Sequence, residues 1–135
     1  MAASGAMCGY RRMAKKILIV DDDEEIRAEL AGYLQDKGYE VEEAADGLEA
    51  LNKFKAAPAD VVITDIKMPH STGEELTRRL RAIDPDLPII ILTGHYTNAD
   101  VESAKKAGAT MVLKKPARLS ELRRLLERLT EAPEE

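Results

Sequence analysis

The chain contains one cysteine, two histidines and no long apolar stretch, and these scarcities exclude several classes of protein. Cys8 alone cannot form an intramolecular disulfide or a thiolate metal cluster, which suits a reducing cytoplasm. No apolar run approaches the roughly 20 residues that a membrane-spanning helix needs. The net charge of −5 argues against broad nucleic-acid binding, because such binding requires a clustered basic face. We therefore expect a globular protein whose 135 residues form one hydrophobic core.

The two ends of the chain differ in composition from its body. Residues 1–14 are mostly small or polar and lack the apolar stretch of a secretory signal, so we interpret them as a disordered extension or a tag. Residues 131–135 are interpreted as a solvated tail. From 15 to 130, short apolar runs alternate with amphipathic segments five times, which is typical of a parallel sheet with crossover helices. The sequence therefore predicts one α/β domain, a (βα)5 unit with helices on both faces of its sheet.

Strands and helices are distinguished by the spacing of their apolar residues. The strands are predicted at 15–20, 40–44, 60–65, 88–93 and 110–114. The second is the least apolar and is expected at an edge of the sheet. The apolar helix faces are predicted to contain Ile26, Leu30 and Tyr33 or Leu34, then Leu48, Leu51 and Phe54, then Leu76, Leu80 and Ile83, then Val101, Ala104 and Gly108 or Ala107, and finally Leu119, Leu122, Leu126 and Leu129. Helix starts are indicated by Asp46 with Glu49 and by Thr72 with Glu75, and helix ends by Gly38 and Gly108.

Acidic residues follow two of the predicted strands directly. Asp21, Asp22 and Asp23 come after the first strand, and Asp65 ends the third. The carboxyl ends of parallel strands meet at one edge of such a sheet, and ligands bind where the winding direction reverses. Two carboxylates about 4 Å apart repel each other by about 4 kcal/mol at an effective dielectric near 20, a cost that a bound cation removes. The pattern predicts a divalent metal site containing Asp21, Asp22 and Asp65, whereas Asp23 is expected to start the first helix.

Two further polar side chains are predicted at the same edge. Thr93 ends the fourth strand, and Lys115 follows the fifth. A strand-terminal Thr is usually only a residue that favours β structure, so Thr93 is significant because of its neighbours. Side chains alternate along a strand, so Lys114 and Lys115 are expected to point in opposite directions. One of them can then face the acids while the other faces water.

Several of these residues lie in segments that resemble a known family. The segments are ILIVDDDEE at 17–25, VVITDIKMP at 61–69, Gly73, IIILTG at 89–94, KAGA at 106–109 and KKP at 114–116. In order and spacing they resemble the receiver domain of two-component response regulators, the CheY-like proteins, over nearly all of residues 15–130. The resemblance implies a doubly wound, flavodoxin-like fold whose five-stranded parallel sheet has the strand order 2-1-3-4-5.

The resemblance also implies a role for each acid at the predicted edge. Asp65 matches the phosphoacceptor of the family. Mg²⁺, for which Mn²⁺ can substitute, would be bound by Asp22, by Asp65 and by the backbone carbonyl of Lys67, and Asp21 would act through a water molecule. The implied site therefore combines a nucleophilic carboxylate with a metal ion.

The implied function is that of a signalling switch rather than an enzyme. Mg²⁺-dependent phosphoryl transfer from a sensor histidine kinase phosphohistidine to Asp65 would change the surface of helix 4, strand 5 and helix 5, and the receiver would promote its own phosphorylation and dephosphorylation. Thr93 matches the family's switch hydroxyl, and Lys115 matches the lysine that pairs with the phosphoryl group. Val112 stands where many receivers carry Tyr or Phe. The response is therefore expected to depend on Thr93 rather than on rotation of an aromatic side chain.

The implied partners are a sensor histidine kinase or phosphotransfer protein, and a downstream protein or fused output domain. A homodimer that forms on phosphorylation is a further expectation from the family. Neither direct nucleic-acid binding nor a membrane partner is expected, and the expected location is the cytoplasm.

Three other functions are less consistent with these residues. A haloacid-dehalogenase-like phosphatase requires a second Asp two residues after the nucleophile, where this chain has Lys67. A Rossmann-type nucleotide module requires a Gly-rich loop after the first strand, where this chain has acids. A degenerate receiver that only binds other proteins would not need the complete set of acids, Thr and Lys. That complete set favours a receiver that can be phosphorylated.

Overall fold

The computed structural model describes residues 15–68, 72–94, 97–115 and 118–130. Strands and helices alternate along this part of the chain: β1 Lys16–Val20, α1 Glu24–Asp36, β2 Glu40–Ala44, α2 Gly47–Ala56, β3 Val61–Thr64, α3 Gly73–Ile83, β4 Ile89–Thr93, α4 Asn98–Ala107, β5 Met111–Lys114 and α5 Leu119–Thr130. Each strand lies within one residue of its predicted bounds, so the predicted alternation is confirmed. None of these helices, within the described ranges, is long and apolar enough to cross a membrane. The predicted extension at 1–14 and tail at 131–135 lie outside the described residues.

The strands form one parallel sheet in the order β2-β1-β3-β4-β5. This is the doubly wound, flavodoxin-like arrangement that the resemblance implies. β1, β3 and β4 are buried along their whole length, as continuous apolar runs in a parallel sheet should be. β2 lies at an edge, as predicted, and its glutamates are exposed or half-buried. The winding direction reverses between β1 and β3, so the crevice for a ligand lies at their carboxyl ends.

Alternate side chains of the central strands face two separate cores. On one face, Ile17, Ile19 and Ile63 pack against α1 and α5, where Leu34 and Leu122 are fully buried. The opposite face packs against α2 and α3 and contains Leu18, Val20, Val62, Phe54, Leu76 and Leu80. A smaller cluster of Ile66, Ile91 and Ala104 lies beneath α4. Helices cover both faces, which leaves the strand ends as the accessible part of the sheet.

Three residues predicted on apolar helix faces are exposed instead, namely Ile26, Leu48 and Ile83. In α2 the buried residues are Gly47, Ala50, Leu51 and Phe54, which follow alternating helical spacings of three and four. Leu48 lies about 100° around the helix from Gly47 and is 63% exposed. The prediction for Leu48 was wrong because it applied a spacing of three twice, which drifts away from the buried stripe.

The helix starts use the predicted capping residues, with one change of partner. Thr72 accepts a hydrogen bond from the amide of Glu75 at 3.0 Å. Asp46 accepts from the amide of Glu49 at 2.8 Å, but the Glu49 carboxylate accepts from Ala45 rather than from Asp46. That hydrogen bond from the Ala45 amide lowers the pKa of Glu49 below its ordinary value. Two backbone amides are therefore satisfied at the start of α2, as in a capping box, but Glu49 binds the amide of Ala45, the residue before the N-cap.

The side chain of Arg81 joins the C-terminal ends of α3 and α4. Its Nε and Nη2 donate to the carbonyl of Gly108 at 3.2 and 2.6 Å. Its Nη1 donates to the carbonyls of Asp84, Pro85 and Leu87 at 3.2, 3.0 and 2.6 Å. Gly108 has a φ of +113°, as expected of the predicted helix end, and a Cβ there would lie 3.0 Å from Nε of Arg81. The positive φ favours glycine at this position, and an added Cβ would require the Arg81 side chain to shift.

A candidate acidic site at the carboxyl edge of the sheet

Three of the predicted site residues lie one position beyond a strand and are held there by hydrogen bonds to the neighbouring strand. The amide of Asp21 donates to the last residue of β2 at 3.1 Å. The amide of Asp65 donates to the last residue of β1 at 3.0 Å, and that of Lys115 donates to Thr93, the last residue of β4, at 2.9 Å. The pattern of the parallel sheet thus continues one residue past the strands and fixes all three positions at the carboxyl edge.

The side chains of Asp21, Asp22 and Asp65 converge into one acidic cluster. One carboxylate oxygen from each aspartate lies within 4.8 Å of the other two. Asp21 is buried and Asp65 is half-buried, whereas Asp22 is exposed. Nζ of Lys115 donates to Oδ2 of Asp21 at 2.7 Å and to Oδ2 of Asp65 at 3.1 Å, while Lys114 is exposed. The predicted meeting of acids from two strands is confirmed, and Lys115 is the lysine that faces them.

The ammonium group of Lys115 offsets part of the negative charge of this cluster. Burial disfavours the charged form, but the hydrogen bond to Asp21 and the attraction of Asp65 and Asp21 outweigh it, so the pKa of Lys115 is raised above its ordinary value. The folded protein therefore binds this proton more tightly than the unfolded chain does. The resulting stabilisation is complete at neutral pH and is lost only as the pH rises through the raised pKa.

The backbone around Asp65 is held against the start of α3. Oδ1 of Asp65 accepts a hydrogen bond from the amide of Ile66 at 2.6 Å, and the Thr64 hydroxyl donates to the Asp65 carbonyl at 2.9 Å. The amide of Gly73 donates to the carbonyl of Ile66 at 2.8 Å. A Cβ at Gly73 would overlap the carbonyl oxygen of Asp65, so the helix can approach this closely only with glycine there. The position of Asp65 thus depends on α3 as well as on β3.

Thr93, Lys67 and Val112 lie on the elements around the cluster. Thr93 is buried at the end of β4, the strand between β3 and β5, and its register partner is Lys114. Lys67 is exposed, two residues after Asp65. Val112 is half-buried in β5 and packs against the small cluster beneath α4. The prolines of the matched segments, at 69 and 116, lie outside the described residues.

Arg27 was not predicted as a site residue, yet it contacts the acidic segment from α1. Its Nη1 donates to the carbonyl of Asp21 at 2.6 Å, and its Nε donates to the carboxylate of Glu43 in β2 at 3.0 Å. Asp23 caps α1 as predicted, because its carboxylate accepts hydrogen bonds from the amides of Glu25 and Ile26 at 3.0 and 3.2 Å. Arg27 follows Asp23 by four residues, and this spacing places both on one side of the helix start. That spacing is the sequence feature that could have identified Arg27.

The fold and this site define a class of protein: a doubly wound α/β domain with an acidic cluster and a lysine at the carboxyl edge of its sheet. The family model described as the response regulator receiver domain matches residues 17–127. The chain belongs to this family, whose members are receiver domains of two-component response regulators.

Related sequences include longer response regulators. Response regulator MprA of Mycolicibacterium vanbaalenii is 41% identical over 122 residues, which cover 87% of this chain and 53% of that protein. Response regulator MprA of Mycobacterium tuberculosis is 40% identical over 110 residues, which cover 82% of this chain and 48% of that protein. The chain spans about half the length of the curated relatives it matches.

Similar solved structures confirm the fold. Chemotaxis protein CheY4 of Vibrio cholerae has a TM-score of 0.81 and 41% identity, covering 86% of this chain and 98% of that one. A CheY-like receiver domain protein of Methanospirillum hungatei has a TM-score of 0.82 and 34% identity, covering 87% and 95%. NtrX of Brucella abortus has a TM-score of 0.81 and 32% identity, covering 88% of this chain but 27% of that one. The matched domain forms nearly all of the CheY4 chain but a small part of the NtrX chain.

Proposed function

We propose that this receiver is a phosphoacceptor switch in which Asp65 accepts a phosphoryl group and Mg²⁺ supports the transfer. The observation that carries the proposal is the convergence of three carboxylates and Lys115 at the crevice between β1 and β3. Carboxylates crowd together only at an electrostatic cost, which a divalent cation offsets. A strand-end aspartate beside such a site has the surroundings that a nucleophile for phosphoryl transfer needs.

In the proposed reaction, a carboxylate oxygen of Asp65 attacks the phosphorus of the donor in line with the bond that breaks. With a phosphohistidine donor, the P–O bond to Asp65 forms as the P–N bond breaks, and the imidazole nitrogen keeps the electron pair. The Ile66 amide and Lys115 Nζ hold the Asp65 carboxylate in a fixed rotation before the attack. Lys115 also supplies a positive charge for the oxygens of the transferred group, whose charge the site must neutralise.

The donor set of the cluster fits Mg²⁺. Mg²⁺ prefers oxygen ligands at about 2.0–2.1 Å, which places neighbouring ligand oxygens roughly 3–4 Å apart. The three carboxylate oxygens of the cluster lie within 4.8 Å of one another, close to that spacing. Asp22 and Asp65 would hold the ion directly and Asp21 through a water molecule, and the backbone carbonyl of Lys67 is the further ligand that the family pattern implies. When bound, Mg²⁺, or Mn²⁺ in its place, would offset the charge of the carboxylates and of the phosphoryl oxygens.

Phosphorylation of Asp65 would add close to two negative charges at the edge of the sheet. Thr93 ends the adjacent strand, and its hydroxyl can donate to the phosphoryl group and draw the following loop towards Asp65. That movement would reach α4, β5 and α5. Val112 has few χ1 states and is far smaller than Tyr, so the response would depend mainly on Thr93.

The proposed partners follow from the family and from the length of its members. A sensor histidine kinase or phosphotransfer protein would donate the phosphoryl group in the cytoplasm. A downstream protein or fused output domain would receive the signal. The MprA and NtrX proteins are longer than the region they share with this chain, which supports a fused output domain. A homodimer formed on phosphorylation would use the same α4, β5 and α5 surface.

Labelling with a small acyl phosphate tests the proposal. Incubation with acetyl phosphate and Mg²⁺ should give one adduct per chain that hydroxylamine removes. Borohydride reduction followed by peptide mass spectrometry should place the adduct at Asp65. An adduct on another residue would overturn the assignment of the acceptor. No adduct at saturating donor and Mg²⁺ would instead favour a domain that only binds other proteins.

Lys115→Ala is expected to slow this labelling about 100-fold, because losing one positioned donor to a developing anion costs about 10² to 10³ in rate. Lys114 provides the matched control, since it is adjacent in the chain but exposed. Lys114→Ala should label within about twofold of the wild-type rate, as surface substitutions usually do little. The measurement is the rate of adduct formation by intact-protein mass spectrometry. The reverse ranking would mean that Lys114, not Lys115, serves the site.

Mg²⁺ is expected to raise the melting temperature of the protein. An ion that binds only the folded cluster stabilises it by about 1.4 kcal/mol at ten times the dissociation constant. For a domain of this size that corresponds to a rise of roughly 5 °C. Asp22→Asn should weaken the response, whereas Asp36→Asn, at the far end of α1, should leave it unchanged. Thermal denaturation curves that coincide with and without saturating Mg²⁺ or Mn²⁺ would reject the metal site.

A further inference from the structure

The guanidinium group of Arg27 lies between the acidic segment after β1 and the edge strand β2. It donates to the main-chain carbonyl of Asp21 at 2.6 Å and to the carboxylate of Glu43 at 3.0 Å. The Arg27 side chain is only 15% exposed, so both bonds are partly protected from water. Removing a guanidinium from water is costly, and the two acceptors offset that cost.

The location of Arg27 in α1 is unfavourable unless its contacts compensate. Arg27 is the fourth residue of the helix, and its amide donates to the carbonyl of the capping residue Asp23 at 3.0 Å. The N-terminal end of a helix carries partial positive charge, which disfavours a nearby cation by about 0.3–1 kcal/mol. The first turn otherwise contains the acids Glu24 and Glu25, which suit that end. The arginine is therefore explained by what it binds rather than by helix electrostatics.

The carbonyl that Arg27 binds belongs to the peptide group between Asp21 and Asp22. A peptide group is planar, so the direction of this carbonyl also sets the direction of the Asp22 N–H and Cα. The amide of Asp21 is held by β2 at 3.1 Å, and its Oδ1 accepts from the amide of Asp23 at 2.9 Å. Arg27 restrains the other main-chain polar group of Asp21, its carbonyl, at 2.6 Å. Without Arg27 this peptide group could rotate and move the exposed Asp22 away from the other two carboxylates.

We propose that Arg27 is a positioning residue for the divalent-cation site, acting through the peptide group between Asp21 and Asp22, and that Glu43 holds Arg27 in place. The inference rests on the metal binding of the proposed function. Arg27 bonds to no carboxylate of the cluster; its acceptors are a backbone carbonyl and a glutamate of β2. Its charge alone repels a metal cation. Charge and positioning therefore predict opposite effects when Arg27 is removed.

The sign of the change in cation affinity tests the proposal. Mg²⁺ binding by calorimetry and Mn²⁺ binding by electron paramagnetic resonance would be compared in wild type and Arg27→Met, which keeps the length of the aliphatic stem. The affinity of Arg27→Met should fall about tenfold, as for other residues that orient metal ligands. Binding that is unchanged or tighter in a folded Arg27→Met protein would overturn the proposal.

Two matched variants separate positioning from charge. Lys53 donates to the carbonyl of Glu43 and pairs with Glu49, without a bond to Asp21. Lys53→Met should therefore leave the affinity unchanged or raise it slightly. Glu43→Gln should weaken binding about threefold, and adding it to Arg27→Met should cause little further loss, since Glu43 acts through Arg27. Fully additive losses would overturn the role of Glu43.

Metal-free protein gives a second, independent measurement. Hydrogen exchange at the Asp23 amide, which donates to Oδ1 of Asp21 at 2.9 Å, should be faster in Arg27→Met than in wild type, while exchange in β3 stays the same. Arg27→Lys, which keeps the charge but lacks the planar guanidinium with its separate donors, should recover part of the affinity. Uniformly faster exchange across the sheet would show general destabilisation and overturn the specific role. If wild type itself binds neither Mg²⁺ nor Mn²⁺, the proposed function fails; if it binds and Arg27→Met binds equally, only the role of Arg27 fails.

Discussion

Asp65→Asn is expected to abolish labelling by acetyl phosphate, because a neutral amide has no anionic oxygen with which to form an acyl phosphate. The fold should persist. The Asn oxygen can still accept the hydrogen bond that Ile66 donates at 2.6 Å, and Lys115 keeps its bond to Asp21 at 2.7 Å. Intact-protein mass spectrometry after incubation with Mg²⁺ and acetyl phosphate measures the adduct, and circular dichroism checks the fold.

The control for this experiment is Asp36→Asn. Asp36 is an exposed aspartate at the last position of α1, on an element that also borders the site. This variant should label at the wild-type rate, which would show that the loss in Asp65→Asn is specific to the strand end. Equal labelling of Asp65→Asn and wild type would show that another residue accepts the phosphoryl group.

Gly73→Ala is expected to destabilise the protein by on the order of 3 kcal/mol, near the upper end of the usual range for overpacking. The added Cβ would overlap the carbonyl oxygen of Asp65, a main-chain atom that cannot rotate out of the way. Either the start of α3 or the segment that carries Asp65 must shift. The melting temperature should fall by roughly 10 °C, and acetyl phosphate labelling should slow as well.

Gly32→Ala is the matched control, because the same atom is added where there is room for it. Gly32 lies in α1, and nothing lies within 4 Å of the position that its Cβ would take. Alanine favours the helix interior over glycine by about 0.5–1 kcal/mol, so this variant should be more stable than wild type. A Gly73→Ala protein with wild-type melting and wild-type labelling would contradict the close approach of α3 to Asp65.

The fold was predictable because its strands and helices differ so clearly in pattern. Runs such as Ile17–Val20 are apolar without alternation because helices cover both faces of the sheet. The strand order did not follow from this pattern and came from the family resemblance. The helix faces were less predictable, as Leu48 shows: the buried stripe in α2 depends on how the helix is rotated against the sheet, and several leucine spacings fit a short helix.

The candidate site was predictable where its residues end strands and unpredictable where helices support it. Asp21, Asp65 and Lys115 could be placed at one edge because parallel strands end together. The contact of Arg27 with the acidic segment depends on the rotation of α1, and the tight packing of Gly73 depends on the path between β3 and α3. The spacing of Asp23 and Arg27 places both on one side of the helix start, but which side of α1 faces the acids, and how closely α3 approaches Asp65, depend on packing between elements.

Arg81, which joins the ends of α3 and α4, restricts the choice of amino acid at some of the positions it binds and leaves others free to vary. Within the described part of the chain, all hydrogen bonds from the Arg81 guanidinium go to main-chain carbonyls, which every amino acid provides. Asp84 and Pro85 can therefore vary without loss of these bonds, provided that the backbone keeps its path. Gly108 is the constrained position, because residues with a side chain rarely adopt its φ of +113° and an added Cβ would press against the Arg81 side chain. The interaction therefore constrains the identity of two residues, Arg81 and Gly108, although it spans five residues.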